Sequence, residues 1–228
     1  VVLVVVTGCA ASTESGERTI DVDGSPDLDR QAIVASTVRV RAVGCGPRTE
    51  LGTGTVIADG LVVTAAHVVA GADRVELVDA TGETNRADVV WFDPDLDIAA
   101  LRSPADVGLG VALRDETVRA GERGAIAVIA DDGSVEVTDV EVAQRVTIRT
   151  TDIYGTDQVE RPGLRIDADV APGDSGAMVH LPGGGVGIVW SRSTTDDDQA
   201  WTVDLPPELR AAAMRRQLVA SVDVGRCR

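Results

Sequence analysis

The chain has no lysine: all 21 of its basic residues are arginine, set against 37 acidic residues, for a formal net charge of −16. A surface so short of positive charge excludes nucleic acid as a partner, because phosphate binding needs a basic face. Aromatics are almost missing as well, with three Trp, one Tyr and one Phe. The core must therefore come from Val, Ile, Leu and Ala, and β-branched residues in alternating patterns favour strands over helices. There are only two histidines, His67 and His180, and three cysteines, Cys9, Cys45 and Cys227, with no Cys-x-x-Cys spacing. That ligand set excludes a structural zinc centre, and no metal or cofactor is expected. The N-terminal apolar run, Val1–Val6, falls far short of the ~20 residues that cross a bilayer.

That run is nevertheless informative. Followed by Thr7-Gly8-Cys9-Ala10, it resembles the end of a secretory signal. Val6-Thr7-Gly8-Cys9 also resembles a bacterial lipobox, so residues 1–9 are expected to be a signal remnant with Cys9 as a lipidation site. The plainer alternative is a buried strand with a chance cysteine. On the export reading, Cys45 and Cys227 remain, either bridged or as two free thiols. A bridge would close a long loop worth ~3–5 kcal/mol on chain-entropy grounds, and an oxidising compartment favours it over free thiols. Residues 10–31 are acidic, rich in small side chains and aperiodic, and are expected to be a flexible tether.

From residue 32 the texture becomes that of an all-β domain reaching residue 228. Period-two runs and Gly, Pro and Asp punctuation place strands at 36–42, 52–57, 60–64, 74–78, 86–91 and 97–101. A second set falls at 124–130, 134–150, 163–168, 177–181, 185–190 and 200–204. This gives one lobe over 32–103, a second over 120–205, and a looser connection from Pro104 to Gly121. The one evident helix occupies 206–219, with its clear part from Pro206 to Leu218.

Three short strings carry the chemistry. His67 closes Thr64-Ala65-Ala66-His67, just after a valine-rich strand, and imidazole is the natural base near neutrality. Asp97 sits in Asp95-Leu96-Asp97-Ile98-Ala99. Asp93 and Asp95 compete with it, but Asp97 directly precedes the apolar run and so is the carboxylate best placed to be held inside and to orient an imidazole. All three as plain turn residues around Pro94 is the bland reading. Ser175 lies in Gly173-Asp174-Ser175-Gly176. Its flanking glycines allow a tight turn that aims the amides of Gly173 and Ser175 at one point as an oxyanion hole.

Taken in order, these strings resemble the trypsin-like (chymotrypsin-fold) serine peptidases, in particular the actinobacterial periplasmic acid-resistance group. Shared strings also include Val38-Arg39-Val40, Gly44-Cys45, Gly52-Thr53-Gly54, His67-Val68-Val69-Ala70-Gly71 and Asp152-Ile153-Tyr154-Gly155. Ala168-Asp169-Val170 ahead of the Ser175 string belongs with them. The resemblance implies two six-stranded antiparallel β-barrels with the site between them. It also implies a Cys45–Cys227 disulfide. Asp169, six residues before Ser175, stands where trypsins place the acidic floor of the primary pocket, unless Arg165 or Arg192 neutralises it. Val189-Trp190-Ser191 resembles the strand that binds substrate backbone.

Two departures stand out. Ala177 and Met178 follow Gly-Asp-Ser-Gly where the family usually has Gly-Pro. There is no Ile-Val-Gly-Gly activation string, so Asp174 is expected to find an arginine or some other stabilisation instead of a freed N-terminus. The function implied is an exported endopeptidase acting on cell-envelope polypeptides, held at the membrane through lipid on Cys9. The competing readings are a non-catalytic binding or sensor lipoprotein that keeps the fold, supported only by Ala177, and an esterase, which lacks the Gly-x-Ser-x-Gly elbow.

Overall fold

In a computed structural model, residues 28–46, 49–130 and 132–228 are described. Cys9, the rest of the signal remnant and the tether up to residue 27 lie outside them. Asp29 caps a short helix, α1 (Arg30–Ser36), by accepting from the Ala32 amide at 2.9 Å. This helix begins inside the segment read as tether. With Ile33 as its single fully buried apolar anchor, it has too little periodicity to be seen in the sequence.

The first lobe follows: β1 (Thr37–Val43), β2 (Glu50–Ala58), β3 (Leu61–Thr64), a helical turn α2 (Ala66–Val69), β4 (Arg74–Val78), β5 (Thr84–Asp93) and β6 (Ile98–Arg102). The second contains β7 (Arg123–Ile129), β8 (Val135–Thr151), β9 (Gln158–Asp167), β10 (Met178–Leu181), β11 (Gly184–Arg192) and β12 (Gln199–Asp204). Each set closes into an antiparallel barrel, in the orders β1-β2-β3-β6-β5-β4 and β10-β11-β12-β9-β8-β7. The first closes through a run of β1–β4 pairs from Arg39–Val78 to Val43–Arg74, the second through the single pairing of His180 with Ala125.

Aliphatic side chains fill both interiors, as the scarcity of aromatics requires. Val38, Val40, Val62, Leu77 and Leu101 pack the first barrel; Ile126, Leu164, Ile166, Val179 and Leu181 pack the second. A third cluster joins them. Leu61, Val63 and Ile98 from the first lobe meet Met178, Ile188 and Val203 from the second, and Leu209 seals the seam from the C-terminal helix α3 (Pro207–Met214). Met178, one of the two unusual residues after the Ser175 string, is thus a seam residue, and Gly185 beneath it has no room for a Cβ against the Met178 sulfur. Its partner Ala177 packs fully inside the second barrel.

Helix α3 is shorter than the sequence suggests. Arg216 turns into the left-handed region (φ +54°), which ends the helix and folds Leu218 back into the seam. The tail then straps the first lobe. The Val222 amide donates to Val89 O, Gly71 N donates to Val224 O, and Cys227 is disulfide-bonded to Cys45. No helix among the described residues is long and apolar enough to cross a membrane.

Candidate active site

His67 is the second residue of α2, and Asp97 ends the β5–β6 turn. That turn is tied by Asp93, whose Oδ1 accepts from the amides of Asp95 and Leu96. Asp97 takes a positive φ of +61°, rare for a residue with a Cβ. The conformation turns its carboxylate into the protein, where it is only 4% exposed. Both oxygens are used by one residue: Oδ1 accepts the His67 backbone N–H at 2.8 Å, and Oδ2 lies 2.8 Å from His67 Nδ1. This two-point grip fixes the ring's tilt as well as its place. Burial pulls the Asp97 carboxyl upward, but the hydrogen bonds and charge of His67, with the nearby Arg161 cation, outweigh it and hold the group below its usual range.

Ser175 arrives from the second lobe, on the link between β9 and β10. Thr53 of β2 reaches across and holds that link twice: its amide donates to Ser175 O at 2.9 Å, and its Oγ1 donates to Gly173 O at 3.0 Å. Gly176 (φ +94°) lies against Thr53 O, Thr64 Oγ1 and Ala65 N, two residues ahead of His67. A Cβ at Gly176 would collide with Thr53 O. The Ser175 loop is therefore seated against β2 and the residues that lead into His67, and the Ser175 hydroxyl makes no hydrogen bond to His67.

The amides of this link show a pattern. Ala171 N–H goes to Asp174 Oδ2, Asp174 N–H to Ala171 O, Gly176 N–H to Val189 O and Ala177 N–H to Asp174 O. The amides of Gly173 and Ser175 have no protein acceptor among the described residues. Gly173, at φ +107°, has the backbone freedom to leave its N–H pointing outward.

Of the two stabilisations expected for Asp174, the structure shows the one without arginine: no salt bridge to it occurs among the described residues. Its own loop satisfies it through the Ala171 amide, while burial and the neighbouring carboxylates Asp169 and Glu136 raise its pKa above the usual carboxylate range. Asp169 is exposed and not a buried floor. It lines a groove of about 580 Å³ with Arg39, Glu50, Leu51 and Gly173, whose lining includes neither His67 nor residues 189–191. Arg192 does not neutralise it, lying 3.8 Å from Asp197 instead. The Val189 side chain is wholly in the second core, so this residue acts through its backbone, bonding Gly176 and Ala177 on either side. Trp190 sits at a bulge between Val189 and Ser191, which lifts it out of the β11–β12 ladder. Ser191 continues that ladder opposite Trp201 and is half-buried.

Arg161 is the residue that sequence reasoning missed. It lies on β9, its side chain 3% exposed, between Asp97 and the Trp190 ring. Nothing in Glu160-Arg161-Pro162-Gly163 signals this. Pro162 suggests a break, so the strand was expected to start at 163, but β9 begins at Gln158. At Pro162 it pairs only with β8, since β12 joins it only at 165–167, and a one-sided strand tolerates proline.

Two closed six-stranded barrels meeting at a His-Asp pair beside a Gly-Asp-Ser-Gly loop define the chymotrypsin-like architecture. A family model described as the trypsin-like peptidase domain matches residues 52–186, and the chain belongs to that family. It is 30% identical over 209 residues to serine protease Rv3671c of Mycobacterium tuberculosis, covering 86% of this chain and 52% of that protein. It is 32% identical over 148 residues to a probable periplasmic serine endoprotease DegP-like of Halomonas elongata, covering 62% of this chain and 29% of the relative. The chain thus spans about half or less of the length of these curated relatives. Among solved structures, Rv3671c protease titled as its active form superposes with a TM-score of 0.77 at 27% identity, covering 95% of this chain and 99% of that one. The same protease titled as its inactive form gives 0.68, covering 83% and 92%.

Proposed function

We propose that this chain is a serine endopeptidase. Ser175 Oγ attacks the carbonyl carbon of a peptide bond while His67 Nε2 takes its proton. Asp97 holds the His67 tautomer and stabilises the imidazolium, and the oxyanion is received by the Gly173 and Ser175 amides. His67 then gives the proton to the departing amine, leaving an acyl ester on Ser175. Water, deprotonated by His67, cleaves that ester and restores the hydroxyl.

The observation that carries this reading is the two-point His67–Asp97 pairing, together with a Gly-Asp-Ser-Gly loop in which the amides of Gly173 and Ser175 have no acceptor among the described residues. Each oxyanion donor is typically worth ~3–4 kcal/mol in the transition state. The better superposition on the relative titled active supports the same reading. Ala177 gives no ground for a non-catalytic protein, because it packs inward and leaves both amides free.

The finer proposal is an exported enzyme acting on cell-envelope polypeptides, anchored by lipid on Cys9. The apolar run ahead of Cys9 and the Cys45–Cys227 disulfide support export. Substrate backbone would lie along Trp190 and Ser191, with Asp169 contributing charge at the groove beside the Ser175 loop. Digestion of a peptide library by the purified chain tests the enzyme reading. Cleavage by wild type, lost by ~10⁵-fold or more in Ser175→Ala with an unchanged Tm, is the expected result. Equal cleavage by both would sink it.

A further inference from the structure

Arg161 makes contacts on both sides of the seam. Its Nε donates to Asp95 O at 2.7 Å and its Nη2 to Thr151 O at 3.3 Å. Nη1 lies 3.8 Å from Asp97 Oδ2, and the guanidinium sits over the Trp190 ring at 4.4 Å from its centroid. One buried side chain from the second lobe therefore holds the backbone two residues ahead of Asp97, faces the Asp97 carboxylate, and stacks on the expected substrate strand. We propose that Arg161 is a positioning residue, fixing the Asp97 turn against Trp190 and setting the charge balance of the His67–Asp97 pair.

The surroundings explain why a cation is needed there. The groups facing Arg161 are Asp93 at the end of β5, Asp95 and Asp97 on the β5–β6 turn and Asp152 on the β8–β9 turn, with Asp157 close to Asp95. Asp97 itself faces both the His67 ring and the Arg161 guanidinium. A guanidinium suits the task better than an ammonium. Its planar fork reaches the carbonyls of Asp95 and Thr151 while its face covers an indole. The cation also opposes accumulation of positive charge on the His67 ring. Without it, the surrounding carboxylates would favour the imidazolium, and the base would stay protonated to higher pH.

The inference rests on the peptidase reading for its consequence in catalysis, but its first test does not. The chain has only two histidines, so its ring resonances resolve His67 from buried His180, the internal reference. Nuclear magnetic resonance titrations compare wild type, Arg161→Met and Arg161→Lys. The His67 midpoint is expected to rise by about one pH unit in Arg161→Met and to stay near wild type in Arg161→Lys. A midpoint unmoved in Arg161→Met overturns the proposal, whether or not the protein cleaves peptides.

The second test uses a quenched-fluorescent peptide chosen from the library, with rates normalised to sites labelled by a fluorophosphonate. In Arg161→Met, kcat should fall ~30-fold with KM within threefold, and the acid limb of kcat/KM should shift upward with His67. In Arg161→Lys, kcat should fall ~10-fold with the limb in place, because charge is kept while the fork and stacking are lost. If Arg161→Met does not fold, Arg161→Lys decides: wild-type kcat per labelled site overturns the proposal. Absence of labelling in wild type counts against the peptidase reading, and the His67 titration then judges Arg161.

Discussion

The two barrels share one strand order. Read from their first strands, they run β1-β2-β3-β6-β5-β4 and β7-β8-β9-β12-β11-β10. His67 and Ser175 lie on corresponding connections, between the third and fourth strand of each barrel. The first barrel shapes that connection as a helical turn, gripped twice by Asp97 and backed by the Cys45–Cys227 strap beside Gly71. The second shapes it as an irregular loop with two positive-φ glycines, in which the amides of Gly173 and Ser175 have no acceptor among the described residues. The proposed base and its acid are thus built into one lobe, whereas the proposed nucleophile is held in place by hydrogen bonds from the other. On the proposed reading the catalytic arrangement is a property of the seam, and rigidity in the first lobe serves to position a freer loop of the second.

The largest way to break the contrast is to remove the strap. The disulfide spans 182 residues, a loop worth about 5 kcal/mol on chain-entropy grounds. The Cys45→Ala/Cys227→Ala pair should lose most of that in urea unfolding. An unchanged midpoint would mean that the tail contributes little to the first lobe.

Next is Gly176→Ala, which needs a Cβ where Thr53 O stands at a backbone angle disfavouring any side chain. A loss of at least about 3 kcal/mol is expected, with fluorophosphonate labelling abolished. Retained labelling would show that the Ser175 loop does not depend on its contact with β2.

His180 marks the second barrel by a different test. Its ring is buried and burial alone lowers it from 6.5 to about 4. Between those values the unfolded chain binds a proton that the folded chain refuses, so stability falls as pH drops below 6.5 and levels off below 4. From pH 7 to pH 4.5 this amounts to about 2–3 kcal/mol, which His180→Leu should remove in urea titrations at the two pH values. An equally steep dependence in the variant would place the acid sensitivity elsewhere.

The smallest effect is expected from Thr53→Val, which keeps the amide bond to Ser175 O but loses the hydroxyl bond to Gly173 O. About 1 kcal/mol of stability and about tenfold in kcat/KM should be lost. A change in stability alone would separate loop anchoring from catalysis.

Much of this was legible in the sequence because local rules agreed with the fold. Period-two runs with Gly, Pro and Asp punctuation placed twelve strands close to where they lie. Asp97 could be preferred to Asp93 and Asp95 because an apolar strand follows it directly. What was hidden depends on long-range contacts. Arg161 reads as an ordinary strand arginine beside a proline until β9 is laid against the Asp97 turn. Asp174 was expected to find an arginine or some other stabilisation, and the sequence alone did not show that an amide three residues away on the same loop supplies it. Asp169 was placed by its spacing from Ser175, and spacing along the chain does not determine exposure. Helix α1, with one buried anchor, has no pattern to read.

The most direct test of the central claim is mass spectrometry of the full chain after treatment with diisopropyl fluorophosphate. The account predicts one adduct per chain, mapped to the peptide bearing Ser175, and none in Ser175→Ala or His67→Ala. Folded wild type that takes up no adduct, or takes it up on another residue, would contradict it.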